Sequence, residues 1–442
     1  MSGRNRRGRD AMGVGLAALN RISSLSVIDR FGLRKPLERA VFEGSRTGFR
    51  AVGAANRTFA AAQKRSKPSR PAAVTGRELF DLNPDDDQKL ITEATREFAV
   101  EQLRPAAHDA DETCATPSEL LKRSVVELGV TSVGVPAELG GMGSERSTTT
   151  GTLVAEALAY GDMGIAVACL APAGVSTALT LWGDETQQAT YLPAFVGDDV
   201  PAAAVAVTEP TPLFDPFALA TTATRTASGF TLDGVKSLVP RAATAELFVV
   251  AAALDGRPAL FLLESGTSGV QVEAEPAMGI RAAATGRLIL QNVTVPAGAL
   301  LGGGTAETYA DCIRLSRIGW AALACGTGKA VLDYVIPYVN ERTAFGEPIS
   351  NRQAVAFMVA NIGIELEGAR LATLRVAARA EQGRTFAREA AIARRLTAEY
   401  GMQIGSNGVQ LLGGHGYVKE HPVERWYRDL RAAAVMEGVV VL

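Results

Sequence analysis

Histidine and cysteine are scarce in this 442-residue sequence, and their scarcity removes several chemistries at once. The three histidines, His108, His415 and His421, offer no pair at a metal-ligand spacing with carboxylates to complete a site, so no metal centre is expected. The four cysteines, Cys114, Cys169, Cys312 and Cys325, lie far apart without a Cys-x-x-Cys. That spacing argues against a zinc site or a disulfide framework and for reduced, mostly buried thiols. No apolar run is read as approaching the roughly 20 residues that span a bilayer. Arg4 to Arg9 and the short apolar stretch after them break at Asn20-Arg21, and this is read as retained chain, not as a cleaved signal. A cytoplasmic protein is the resulting expectation.

Acidic residues are missing from one region in particular. Residues 1–75 hold 16 Lys/Arg against 4 Asp/Glu, a charge of +12, which leaves −14 for the remainder of a chain whose net charge is only −2. Leu16, Leu19, Ile22, Leu25 and Ile28 recur every three positions there, and Lys64 to Pro71 closes the segment. Two readings stay open. One is a helix lying on an anionic membrane surface or a partner, a peripheral contact through residues 1–70; the other is a helical arm followed by a solvated linker.

What is present is a soluble globular composition, 47% hydrophobic and 21% charged, in a chain long enough for two to four domains. Leu90, Ile91, Ala94, Phe98 and Leu103 share a helical face that Pro105 is expected to close, and further helices are predicted over 117–128, 147–160 and 185–196. Pro136 and Gly140 to Gly143 form a turn between them. Short β-branched or alternating segments follow, beginning at Ala202, Thr221, Gly229, Leu247, Ala259, Val270 and Arg287 and punctuated by turns. Long helices return at about 308–341, 350–382, 385–413 and 422–434. Arg388, Glu389, Arg394, Arg395 and Glu399 are read as a solvated helix face, with no nucleic-acid surface. The order predicts an α+β protein: a basic extension (1–75), an α-helical domain (76–200), a β-sheet or barrel domain (201–303) and a four-helix bundle (304–442).

The last hundred residues carry the chemistry. Glu341-Arg342-Thr343-Ala344-Phe345-Gly346 is followed by Gln353, then Gln410-Leu411-Leu412-Gly413-Gly414-His415-Gly416-Tyr417, Arg428-Asp429 and Glu437-Gly438. An Arg can clamp a phosphate, a Gly-Gly pair admits close backbone approach, and a lone Glu in an apolar run can act as a base. Each has a plainer reading: a surface Glu, a surface ion pair between Arg342 and Glu341, a helix end at Gly413-Gly414. In this order and spacing the blocks resemble the C-terminal domain of the flavin-dependent acyl-CoA dehydrogenases, and the resemblance extends over roughly residues 77–442.

The resemblance implies FAD as cofactor, an acyl-CoA thioester as substrate dehydrogenated to the 2-enoyl-CoA, and an electron-transfer flavoprotein as acceptor. It also implies a homodimer or homotetramer. Glu437 matches the catalytic base. Arg342, Phe345 and Gln353 match the motif that reaches a neighbour's FAD, while Gln410, Gly413 and Gly414 match the turn receiving the same cofactor. Thr208 opens the flavin loop, Gly438 follows the base, and Arg317 matches an Arg on the substrate side. The pattern departs from the family at Phe214, which replaces a hydroxyl in that loop, at Leu238 and Pro240, where a ring and a hydroxyl are lost, and at Val439, where Thr is usual. The sequence stops at Leu442, before the family's last helical stretch. These departures bear on flavin affinity and leave two rivals of the same fold: an oxygen-using acyl-CoA oxidase, and a catalytically silent acyl-CoA-binding or scaffold subunit.

Overall fold

The structure, a computed structural model, describes residues 84–141 and 146–442. The basic extension and its membrane contact therefore lie outside the described residues, as does the end of the Gly140 to Gly143 turn.

Helix α1 (Asp86–Phe98) starts where Asp85 accepts the Gln88 N–H at 2.8 Å while the Gln88 side chain accepts the Asp85 N–H at 3.1 Å, a reciprocal cap. The helix does not close at Pro105. It passes through a π turn over Ala99–Leu103 into α2 (Arg104–Thr113), with Pro105 in the first turn of α2. The wider π turn gives the proline ring room and leaves an N–H that proline lacks unneeded. Helices α3 (Ser118–Leu128), α4 (Thr148–Gly161), α5 (Met163–Trp182) and α6 (Glu185–Tyr191) complete the first domain.

The sequence reading missed α5. It is apolar all round and carries an internal Pro172, so it shows no amphipathic period. By length and composition it is apolar enough to cross a membrane, which corrects the expectation that no run approaches that length. Here 83% of its most apolar window is buried in the fold, so its surface serves the core.

The middle domain is an eight-stranded sheet. Its strands are β1 (Ala203–Ala206), β2 (Thr222–Arg225), β3 (Gly229–Val239), β4 (Leu247–Leu254), β5 (Arg257–Glu264), β6 (Val270–Ala274), β7 (Gly286–Pro296) and β8 (Leu300–Leu301). The order runs β6-β7-β3-β2-β4-β5-β8, with β1 parallel to β4 through Ala203↔Leu247. The register between β3 and β7 is irregular between Leu232 and Gly234 and again between Lys236 and Val239.

The third domain is built on α7 (Ala306–Glu341), a hairpin of β9 (Thr343–Ala344) and β10 (Glu347–Pro348), α8 (Gln353–Glu381), α9 (Ala387–Leu412), α10 (Val423–Asp429) and α11 (Ala432–Val435). Trp320 and Trp426 are both buried in the cluster that joins this bundle to α4 and α5.

Charged residues of the first and third domains meet beside that cluster, together with a backbone group of the middle domain. Arg425 Nε donates to Asp162 Oδ2 at 2.9 Å, Arg428 grips Asp111 with two bonds of 2.9 and 2.8 Å, and Asp429 Oδ1 accepts the Ile280 N–H at 2.6 Å. Burial, reinforced by the neighbouring Asp162, pushes the Asp429 carboxyl from 3.8 up to about 8. Native protein thus holds a proton that unfolded protein releases between those values. Stability from this group is complete below 3.8 and lost as pH rises through about 8. Asp429→Asn should remove that loss. Within this window a single proton held only by the native state changes stability by about 1.4 kcal/mol for each step of one in pH. The stability difference between wild type and variant, from urea unfolding, should therefore change by at least that much across the window. A constant difference would show that Asp429 is ionised in the fold.

Candidate active site

Glu437 sits where β1, α7 and α9 converge, and it is 5% exposed. The turn around it is fixed from three sides. The Thr208 hydroxyl donates to the Glu437 carbonyl at 3.2 Å and accepts the Glu437 N–H at 3.3 Å. The Ser316 hydroxyl accepts the Gly438 N–H at 2.9 Å, and the Trp320 indole donates to the Gly438 carbonyl at 2.9 Å. Gly438 has φ 76°, and a Cβ there would fall 2.7 Å from Val207 Cγ2, so the position takes glycine for both reasons.

The carboxylate is held by arginine. Arg317 Nε lies 3.1 Å from both oxygens and Nη2 2.8 Å from Oε1, a forked contact from one turn of α7. Arg394 Nη2 stands 3.5 Å from the same Oε1, and its other terminal nitrogen donates to the Ala433 carbonyl. Burial lowers the Arg394 guanidinium from its ordinary value, and Glu437 opposes that shift. Arg394 corrects the solvated-face reading of α9: its side chain is only 13% exposed. The available signal was its place between the buried Ala390, Ala393 and Thr397 at helical spacing.

A second buried pair shapes the loop that begins at Thr208. Lys236 Nζ lies 2.7 Å from Glu209 Oε1, both almost fully buried, and Glu209 also accepts the Ala220 and Thr221 N–H groups at 2.7 and 2.9 Å. Burial would raise the Glu209 carboxyl, but Lys236 and these N–H groups outweigh it and hold it below its ordinary value. Burial draws Lys236 down to about 8, against the opposing pull of Glu209. The departures noted in the sequence have visible places. Phe214 packs against an apolar cluster, Leu238 donates its N–H to Glu275 at φ 55°, Pro240 is buried, and Val439 is buried at φ 73°.

The predicted site residues fall into two groups. Thr208, Arg317, Glu437 and Gly438 are together. Arg342, Phe345, Gln353, Gln410, Gly413 and Gly414 gather at the far end of α7. There Tyr338 receives the Arg342 N–H on its carbonyl and donates its hydroxyl to the Leu412 carbonyl, while Gln353 opens α8. Arg317 and Arg342 are 25 residues apart along one helix, about 37 Å at 1.5 Å per residue. On one chain the two groups are therefore separate.

The far group is suited to a flavin's phosphates all the same. Arg342 is exposed and enters no ion pair among the described residues, and a Cβ on Gly413 or Gly414 would meet nothing within 4 Å. Phe345 is 95% exposed. The near group offers Thr208 and the exposed Thr211 to Asp215 loop. Residues present in the two groups therefore fit the chemistry of FAD.

The structure also gathers His415, Glu420 and His421, whose ligand atoms lie within 4.8 Å of one another. This corrects the reading that no histidine pair has a carboxylate placed beside it; the turn after Gly414 folds the three together.

Family models agree with the three-part architecture. The acyl-CoA dehydrogenase N-terminal domain matches residues 85–199, the middle domain 204–293 and the C-terminal domain 306–440. The short/branched chain specific acyl-CoA dehydrogenase, mitochondrial, of Rattus norvegicus is 33% identical over 362 residues, covering 80% of this chain and 83% of that protein. The acryloyl-CoA reductase (NADH) of Anaerotignum propionicum is 30% identical, covering 81% and 93%. Among solved structures, butyryl-CoA dehydrogenase from Megasphaera elsdenii matches with TM-score 0.74 at 29% identity, covering 82% of this chain and 97% of that one. A structure described as an electron transferring flavoprotein of Acidaminococcus fermentans gives TM-score 0.74 at 29% identity, covering 82% and 96%. Fold and comparisons together define a flavin-dependent oxidoreductase. The chain belongs to the acyl-CoA dehydrogenase family, which is FAD-dependent.

If Arg317 holds Glu437 as the geometry shows, Arg317→Met should destabilise the fold. Breaking a buried pair costs about 3–5 kcal/mol, reduced here because the Arg317 side chain is 22% exposed, so a loss of about 2 kcal/mol is expected in urea unfolding. Combined with Glu437→Gln, the loss should be smaller than the two single losses together. Strict additivity would mean that the two side chains do not hold each other in solution.

Proposed function

We propose that this protein removes hydrogen from the α and β carbons of an acyl-CoA thioester to give the 2-enoyl-CoA, as a step of fatty-acid or related acyl-CoA oxidation, with Glu437 as the base. The observation that carries this reading is the buried Glu437 carboxylate, fixed through its backbone by Thr208 and followed by an apolar run. FAD, when bound, accepts the hydride. Glu437 takes the α proton, and the dry setting keeps water from solvating the carboxylate and weakening it. Arg317 takes up part of the carboxylate's acceptor capacity in the structure, and loosening of that contact as substrate enters would raise the basicity of the free oxygen. Short and branched acyl groups are the substrate class that the named relatives support.

The separation of the two site groups along α7 supports a homodimer or homotetramer in which Arg342, Phe345 and Gln353 of one copy, with Gln410, Gly413 and Gly414, complete the FAD site of another. The electron acceptor we assign is an electron-transfer flavoprotein.

Anaerobic addition of butyryl-CoA or a branched acyl-CoA to the yellow holoenzyme tests this directly. The oxidised flavin band should bleach and 2-enoyl-CoA should form. Colourless protein that takes up no FAD would support a silent subunit, and rapid return of colour in air with peroxide would support an oxidase. Arg342→Ala should lower flavin content at unchanged oligomeric state, since a lost charge-assisted contact costs about 2–5 kcal/mol. Equal flavin content in variant and wild type would place Arg342 outside the site.

A further inference from the structure

The four residues after the base turn, Val439 to Leu442, are aliphatic, and Val439, Val440 and Val441 are each no more than 2% exposed. They lie in a groove that three helices open by means of glycine. A Cβ on Gly174 of α5 would lie 2.1 Å from the Val439 carbonyl oxygen, and one on Gly319 of α7 would lie 2.4 Å from that of Val440. On Gly151 of α4 it would meet Leu442 Cδ2 at 3.4 Å. The groove is thus narrow, apolar and continuous with Glu437, and the protein's own chain fills it.

The segment enters the groove through a strained turn. The Val440 N–H donates to the Gly438 carbonyl at 3.0 Å across Val439, which has φ 73°. A β-branched residue at that φ in a three-residue turn is unfavourable and persists only where the surroundings hold it. Both the packing that holds it and the strain that opposes it sit beside the carboxylate that must reach an acyl α carbon.

We propose that Val439 to Leu442 is an internal occupant of the acyl-chain groove, and that an acyl-CoA binds by displacing it. The inference rests on the functional reading above, because it takes Glu437 as the base. It makes this segment a specificity determinant: the acyl group must replace the contacts the segment gives up, so within the short and branched class the bulkier acyl groups compete better than the smallest.

Hexyl-S-CoA, a thioether that lacks the carbonyl needed for α-proton removal, tests the displacement without turnover. On binding to the FAD-loaded protein, detected by its perturbation of the flavin spectrum, amide hydrogen exchange at residues 438–442 should rise. Val440→Ala combined with Leu442→Ala weakens the occupant without touching Glu437 or its arginines, and should tighten thioether binding at least about tenfold. Binding that leaves exchange at 438–442 unchanged or lower overturns the proposal while the functional reading stands. So does a folded double variant that binds no tighter. If the variant fails to fold, the exchange experiment on the wild type decides alone. Failure of every acyl-CoA and thioether to perturb the flavin in either protein overturns the functional reading, and this proposal with it.

Discussion

A carboxylate removed from water must be held by something, and Glu437 is held by Arg317 and Arg394. Much of the architecture follows from that requirement. One arginine comes from α7 and the other from α9, so both helices must sit at fixed distance from the turn that carries the glutamate. Thr208, from the end of β1, fixes the same turn through its backbone, which ties the sheet to the bundle at the same point. A buried ion pair of this kind is weak evidence for stability, because desolvation consumes most of its Coulomb energy. The same contact restrains chemistry: a carboxylate gripped at both oxygens is poised but occupied. In the proposed mechanism, entry of a ligand loosens the grip.

Helix α7 imposes the second constraint. It carries Arg317 at one site and leads directly into Arg342 at another, and its length keeps the two apart. The FAD site proposed above draws on residues near both ends of this helix, which is why it is proposed to be shared between copies. The exposed Phe345 and the open Gly413-Gly414 turn read, on one chain alone, as unfinished surface. The Glu209–Lys236 pair plays a complementary part in the sheet, setting the path of the loop after Thr208 without needing the hydroxyl that Phe214 replaced.

How much of this the sequence made legible depended on periodicity. The helices of the bundle showed themselves because each has one apolar face over many turns, and the strands because they are short and bounded by turn residues. Helix α5 was hidden by being apolar on every side, and the continuation past Pro105 was hidden because a π turn removes the usual penalty for proline. The chemistry was legible as ordered motifs, which placed Glu437 and Arg317 in the sequence but could not say that they touch. Arg394 was misread because charge alternation was counted along the chain, when its position around the helix was what mattered. The filling of the groove by Val439 to Leu442 depends on three glycines from three helices, a relation with no sequence spacing to betray it.

The central claim is that Glu437, once released by Arg317, takes the proton. Glu437→Gln keeps the outline and much of the hydrogen bonding of the glutamate while removing its basicity. Anaerobic stopped-flow of wild type and variant with butyryl-CoA, following the oxidised flavin band, measures the consequence. The account predicts unchanged flavin content and a reduction rate lower by at least about 10²- to 10⁴-fold, the range expected for a positioned general base. Reduction of the variant's flavin at the wild-type rate would contradict it and move the base elsewhere.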